Sequence, residues 1–125
     1  MVRTYARVAG TTLLLLGIAG LLADSQPLLG VLNVDPGENI IHLLTGTLLA
    51  YEGFLQRDEM EARIVVFALG LFYLLVGLIG FVVPNLFGLL PSGLSIIDDL
   101  IHLTLGASGV AAAELSRSGG RKQGK

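Results

Sequence analysis

The feature that most constrains this chain is that it repeats itself at a fixed offset of 60 residues. The two histidines, His42 and His102, hold equivalent places in the phrases Glu-Asn-Ile-Ile-His-Leu-Leu-Thr-Gly, ending at Gly46, and Asp-Asp-Leu-Ile-His-Leu-Thr-Leu-Gly, ending at Gly106. The same offset pairs Arg3 with Arg63, Gly10 with Gly70, Gly17 with Gly77, Gly20 with Gly80 and Arg57 with Arg117. Polar and glycine positions keep register while the apolar filler changes, which reads as one helical hairpin used twice.

The kind of hairpin follows from composition. Hydrophobic residues make up 53% of the chain and charged residues 14%, against about 25% charged in soluble domains. The 125 residues hold about four spans of ~20 residues and no separate soluble domain, which argues against catalysis on a large soluble substrate. With no cysteine, disulfides, thiolate metal sites, covalent haem attachment and lipidation on cysteine are excluded.

Apolar runs extend from about Tyr5 to Ala23, Pro36 to Phe54, Ile64 to Val83 and Ile96 to Leu115. Each is long enough to cross ~30 Å of hydrocarbon as a helix. The expected fold is therefore all-α: a four-helix transmembrane bundle of two tandem hairpins in the same orientation, residues 1–57 and 58–115, followed by a disordered basic tail, 116–125. The first run is expected to be retained rather than cleaved as a signal peptide, because its equivalent lies in mid-chain.

Every lysine and arginine (Arg3, Arg7, Arg57, Arg63, Arg117, Arg121, Lys122, Lys125) stands at the amino terminus, in the middle loop or in the tail. The other two connections hold acids instead: Asp24, Asp35 and Glu38 in one, Asp98 and Asp99 at the end of the other. By the positive-inside rule the chain is a multi-pass cell-membrane protein with both termini cytoplasmic. The outer segments 27–34 and 85–92 are apolar but too short to span, and together are expected to cover the outer end of the bundle as a lid.

The repeated phrase opens the second and fourth helices. Asp35 with Glu38, and Ser95 with Asp98, match the capping box, an oxygen-bearing N-cap followed three residues later by an acid. On this reading Glu38 and Asp98 are helix-start residues. His42 and His102 then lie about 9–10 Å inside the outer helix ends, facing protein because lipid would leave their nitrogens unpaired. Asn39, His42, Gly46 and Gly53 share one helix face, and Asp99, His102, Gly106, Gly109 and Ala113 its counterpart. The expected polar cluster is His42, His102, Asn39 and Asp99. Gly46, Gly106, Gly17 and Gly77 are expected to serve helix packing, within the bundle or between subunits. His102, one turn after Asp99, is the better candidate for a proton-titrating group.

These phrases resemble those of the small prokaryotic membrane proteins grouped as domain of unknown function 4383. The likeness rests on Asn39-Ile-Ile-His42-Leu43-Leu-Thr-Gly46, the preceding Leu29-Gly-Val-Leu-Asn-Val34, and the weaker copy from Asp99 through His102 to Gly106. It covers the chain to about Leu115 and implies a four-helix membrane fold without an activity.

The function expected first is a structural, accessory or oligomer-forming membrane subunit, with no enzymatic activity and no resident cofactor. Its partners would be the lipid bilayer and either further copies or a larger membrane complex, with no nucleic acid. Two alternatives stay open: a metal or b-type haem site on His42 and His102, and a proton or small-ion pathway using Asp99, His102, Tyr73 and Glu52.

Overall fold

The computed structural model of the protein describes residues 1–23, 27–28, 30–32 and 34–123, with side chains in the last helix as far as Ser118. Asp24, Leu29, Asn33 and Lys125, used above, lie outside the described residues, as do the side chains of Arg121 and Lys122.

The described chain is all-helical: α1 (Val2–Leu22), α2 (Pro36–Phe54), α3 (Glu59–Gly80) and α4 (Ile96–Gln123), with a single 3-10 turn at Leu86–Gly88. Three helices are long and apolar enough to cross a membrane: Val2–Leu22, Glu59–Gly80 and Ile96–Ser118. α2 is not among them, since its 19 residues include Glu38, Asn39, His42 and Glu52, all buried.

Helix limits depart from the apolar runs where polar residues cap or extend them. Asp58 is the N-cap of α3, accepting from the amides of Met60 and Glu61, so α3 begins at Glu59 rather than near Ile64. The Asp58-to-Glu61 spacing carries a start signal that the apolar-run reading passes over. At the other end of the chain α4 continues past Leu115 to Gln123, through most of the tail expected to be disordered. Ser116 is engaged there, its Oγ accepting from the Val2 amide at 3.0 Å.

Each hairpin packs along its glycines. A Cβ added at Gly10 would stand 2.5 Å from the Ala50 amide nitrogen, and one at Gly46 2.8 Å from that of Leu14. The equivalent positions behave alike: Gly70 meets Val110 N at 2.9 Å and Gly106 meets Leu74 N at 2.5 Å. Such separations bring helix backbones into direct contact, as small residues allow. Gly17 and Gly77 receive the side chains of Leu43 and Leu103. These contacts of Gly10, Gly17, Gly46, Gly70, Gly77 and Gly106 fall inside their own hairpins, whereas Gly109 lies against the Tyr5 ring of the other.

Between hairpins the arrangement is asymmetric across the two diagonals. α1 and α3 approach each other, whereas α2 and α4 make no backbone contact among the described residues. The core of Val2, Ala6, Ala9, Leu13, Leu49, Ala62, Val66, Tyr73 and Ala113 runs along the axis. Large apolar side chains such as Leu15, Leu44, Leu48, Ile64, Leu75, Leu78 and Leu100 point outward, whereas most of the remaining buried positions are glycine, alanine or polar.

The end opposite the termini is closed by the connecting segments. Leu28 and Leu32 pair in an isolated bridge around a turn at Gly30, whose φ of 73° favours glycine. Leu90 and Leu94 are buried, and Leu90 lies against Gly37 at the start of α2. The second connection thus seats on the first hairpin.

Candidate metal centre

The site is built at the starts of α2 and α4. Asp35 caps α2 through a 2.8 Å bond from the Gly37 amide, and its other oxygen accepts from the Ser92 amide at 2.9 Å. In α4 the reciprocal box is complete: the Ser95 amide donates to Asp98 Oδ2 at 2.8 Å and the Asp98 amide to Ser95 Oγ at 3.2 Å. Glu38, at the position equivalent to Asp98, forms no such bond. Its carboxylate turns inward instead, with Oε1 3.7 Å from His42 Nε2 and 3.6 Å from His102 Nε2. The physical difference is one methylene: the longer side chain reaches the gap between α2 and α4, and Asp35, held by Ser92 and preceding Pro36, caps its helix without a reciprocal acid.

Asp35 therefore ties both hairpins together while capping α2. Asp35→Ala is expected to lower stability by about 1–2 kcal/mol, the upper part of the range for an N-cap, because it also frees the Ser92 amide. Thermal unfolding followed by circular dichroism in detergent, with Ser95→Ala for comparison, checks this.

The expected polar cluster is split. His42 and His102 do meet, with ring centroids 5.8 Å apart and planes at 61°. Asn39 and Asp99 are each turned against an equivalent glycine of their own hairpin, Asn39 on Gly20 and Asp99 on Gly80. Asn39 still borders the cavity between the imidazoles, while Asp99 is not among the residues lining it. The carboxylate beside both histidines is thus Glu38, placed by the sequence reading at the helix start alone.

Glu38, His42 and His102 are 6%, 8% and 3% exposed. One donor atom from each of the three lies within 4.8 Å of the others, around a cavity of about 30 Å³. Among the described residues, Glu38 Oε2 and His102 Nδ1 find no hydrogen-bond partner while buried, at a cost of about 1–3 kcal/mol for each such group. Asp98, Ile101, Leu16, Leu28 and Leu32 complete the walls.

A second layer, from α3, holds the rings. Tyr73 stacks on His102 with centroids 5.5 Å apart and planes at 29°, and its hydroxyl meets that of Thr45 at 2.6 Å. Thr45 in turn donates to the Ile41 carbonyl at 2.7 Å. The 60-residue offset puts Leu13 opposite Tyr73 and Leu105 opposite Thr45, so this pair is a departure from the repeat. That departure is the signal by which sequence could have found it.

Glu52 is buried toward the other end of α2, its Oε2 also unpartnered. Leu49, packed with Leu13 and Ala9, stands between it and Thr45 on the buried face. The polar groups named for a proton pathway therefore fall into two separate groups.

Compared with protein families, curated proteins and solved structures, the chain finds no match.

Proposed function

We propose that this protein is a membrane-spanning four-helix bundle that binds one divalent transition-metal ion at Glu38, His42 and His102. The observation that carries the reading is the spacing of the three buried donors. At 3.6 and 3.7 Å the carboxylate is too far from the imidazoles for hydrogen bonds, yet tetrahedral donors on bonds of about 2.0–2.1 Å stand roughly 3.4 Å apart. Small inward shifts of the three side chains close the coordination sphere.

Two imidazoles and a carboxylate, without sulfur, suit zinc, iron, cobalt, nickel or manganese in the divalent state. Three protein ligands leave coordination positions for water or another molecule. A cavity of about 30 Å³ has room for an ion or a water and not for a porphyrin, which favours the ion over haem.

Membrane residence is supported by the inverted distribution of side chains. Most buried positions hold glycine, alanine or polar groups, with a few leucine, valine and tyrosine side chains among them, while large leucine, isoleucine, valine and phenylalanine side chains stand on the outside, where lipid rather than water suits them. The end holding both termini gathers arginines: Arg7 Nε donates to the Gly53 carbonyl at 2.7 Å, and Arg63 and Arg117 border one pocket. That end is cytoplasmic on the positive-inside rule, and the metal centre then faces the outer side.

Cobalt(II) titration of chelator-stripped protein in mild detergent tests the metal reading. One equivalent is expected to bind with the visible absorption of a four- or five-coordinate site. Absence of binding at about 10 μM, near −7 kcal/mol, would reject it. Retention of the chain in carbonate-washed membranes tests the membrane reading separately.

A further inference from the structure

A second pocket lies between α3 and α4 at the end of the bundle that holds both termini. It is a groove of about 350 Å³ lined by Arg63, Ile64 and Phe67 of α3 and by Ala113 and Arg117 of α4, among others, within the range of ligand pockets. Arg63 and Phe67 are four residues apart, as are Ala113 and Arg117, so each pair shares a helix face. The helices run in opposite directions, which puts both arginines nearest the termini and both apolar partners about 6 Å deeper. The groove is thus cationic at its mouth and apolar further in.

Neither guanidinium is fully engaged within the described chain. Arg63 donates to the Met60 sulfur at 3.0 Å, a weak acceptor. Arg117 pairs with Glu114 at 3.6 Å with both side chains more than half exposed, where such a pair contributes little. The first hairpin differs. Arg7, which the 60-residue offset sets against Phe67, donates from Nε to the Gly53 carbonyl at 2.7 Å and lies 5.6 Å from the centre of the Phe54 ring. Phe67 has no donor with which to make that bridge, and Glu114 stands where the first hairpin has Phe54.

We propose that the α3/α4 groove binds an anionic phospholipid of the leaflet on the side of the termini. Its phosphodiester lies between Arg63 and Arg117, and the start of an acyl chain lies on Phe67, Ile64 and Ala68. The inference rests on the membrane reading above and is independent of the metal. Guanidinium groups bind phosphate oxygens through paired N–H donors. Two arginines against Glu114 leave the groove with one net positive charge, which one phosphodiester neutralises. Free phosphate leaves the apolar half uncovered, and a zwitterionic lipid brings its own cation to the arginines. An anionic lipid satisfies both halves in the order in which they stand.

The full chain is reconstituted in vesicles of equal parts phosphatidylglycerol and phosphatidylcholine, extracted in mild detergent, and its retained lipids are counted by native mass spectrometry. Phosphatidylglycerol is expected at least about fivefold over phosphatidylcholine, the factor that about 1 kcal/mol from a basic residue near the surface supplies. Arg63→Gln and Arg117→Gln should each return the ratio to that of the vesicles. Arg57→Gln, the same loss of charge at an exposed position of the same end, should leave the enrichment unchanged. Ala68→Phe, which fills the groove at constant charge, should abolish it.

Equal retention of the two lipids by the unaltered chain would overturn the proposal without recourse to variants. A loss with Arg57→Gln as large as with Arg63→Gln and Arg117→Gln would overturn it in favour of diffuse surface charge. Enrichment that survives Ala68→Phe would put the lipid elsewhere. Displacement of the lipid by inorganic phosphate would overturn it in favour of a free-phosphate site. Release of the chain by carbonate would bring down the membrane reading and the proposal with it, whereas a carbonate-resistant chain without enrichment brings down the proposal alone.

Discussion

Glu38→Gln is expected to weaken cobalt(II) binding by about 100-fold or more, whereas Asp99→Asn should leave it within a few-fold; outer-shell changes alone cost 10–100-fold in metal sites. The contrast is informative because both carboxylates lie within one turn of a histidine in sequence. Glu38 Oε1 stands within 3.7 Å of both imidazoles, and replacing its oxygen by an amide removes the only carboxylate in the donor set. Asp99 packs on Gly80, and its change to asparagine reproduces what the first repeat carries at Asn39. His102→Ala and His42→Ala should each match Glu38→Gln. Affinity should also fall as pH is lowered, because each imidazole must release its proton before it can donate to a metal. Isothermal titration of the four variants alongside the unaltered protein decides the matter. Equal losses for Glu38→Gln and Asp99→Asn would mean that metal, if bound, is held by a different arrangement.

The second large effect is expected at the helix contacts. Gly106→Ala should destabilise the bundle by about 1–3 kcal/mol, the usual cost of overpacking. The added methyl would lie 2.5 Å from Leu74 N and 2.7 Å from Gly70 O. These are backbone atoms of α3, so no rotamer change can relieve the clash and the helices must separate. Gly10→Ala should behave alike, meeting Ala50 N at 2.5 Å. Ser108→Ala, on an exposed face, should change stability by a few tenths of a kcal/mol. Unfolding in mixed micelles, read by circular dichroism, gives the comparison. The variants also separate two roles for glycine: packing within the hairpin lowers the stability of the monomer, whereas packing between subunits would alter the oligomeric state at unchanged monomer stability.

Sequence showed the hairpin and its repeat because both are one-dimensional signals. Glycines at heptad spacing and polar residues three or four apart define helix faces without knowledge of the neighbour, and the 60-residue offset says that a face used once is used twice. Helix ends were less legible, since an apolar run stops where polarity begins while a helix stops where its amides find other partners. Asp58 moves the start of α3 to Glu59, and α4 carries on to Gln123 through serine and glycine that composition alone assigned to a tail.

The site was legible in its histidines and not in its carboxylate. His42 and His102 are fixed by register, so that any symmetric pairing of the hairpins brings them to one depth. Choosing between Glu38 and Asp99 needed the distance across the α2–α4 diagonal and the side-chain length that spans it. The repeat alone argued for treating the two phrases alike, yet in the tertiary structure Asp98 caps its helix and Glu38 turns toward both imidazoles.

By itself, then, the sequence determined an all-helical chain of two like hairpins with paired histidines and glycine contact faces, because periodicity and register are properties of order along the chain. Only the tertiary structure decided which acid joins the histidines and that Tyr73 and Thr45 brace them. Those outcomes depend on lengths and directions of side chains converging from different helices, and no spacing along a single chain encodes them.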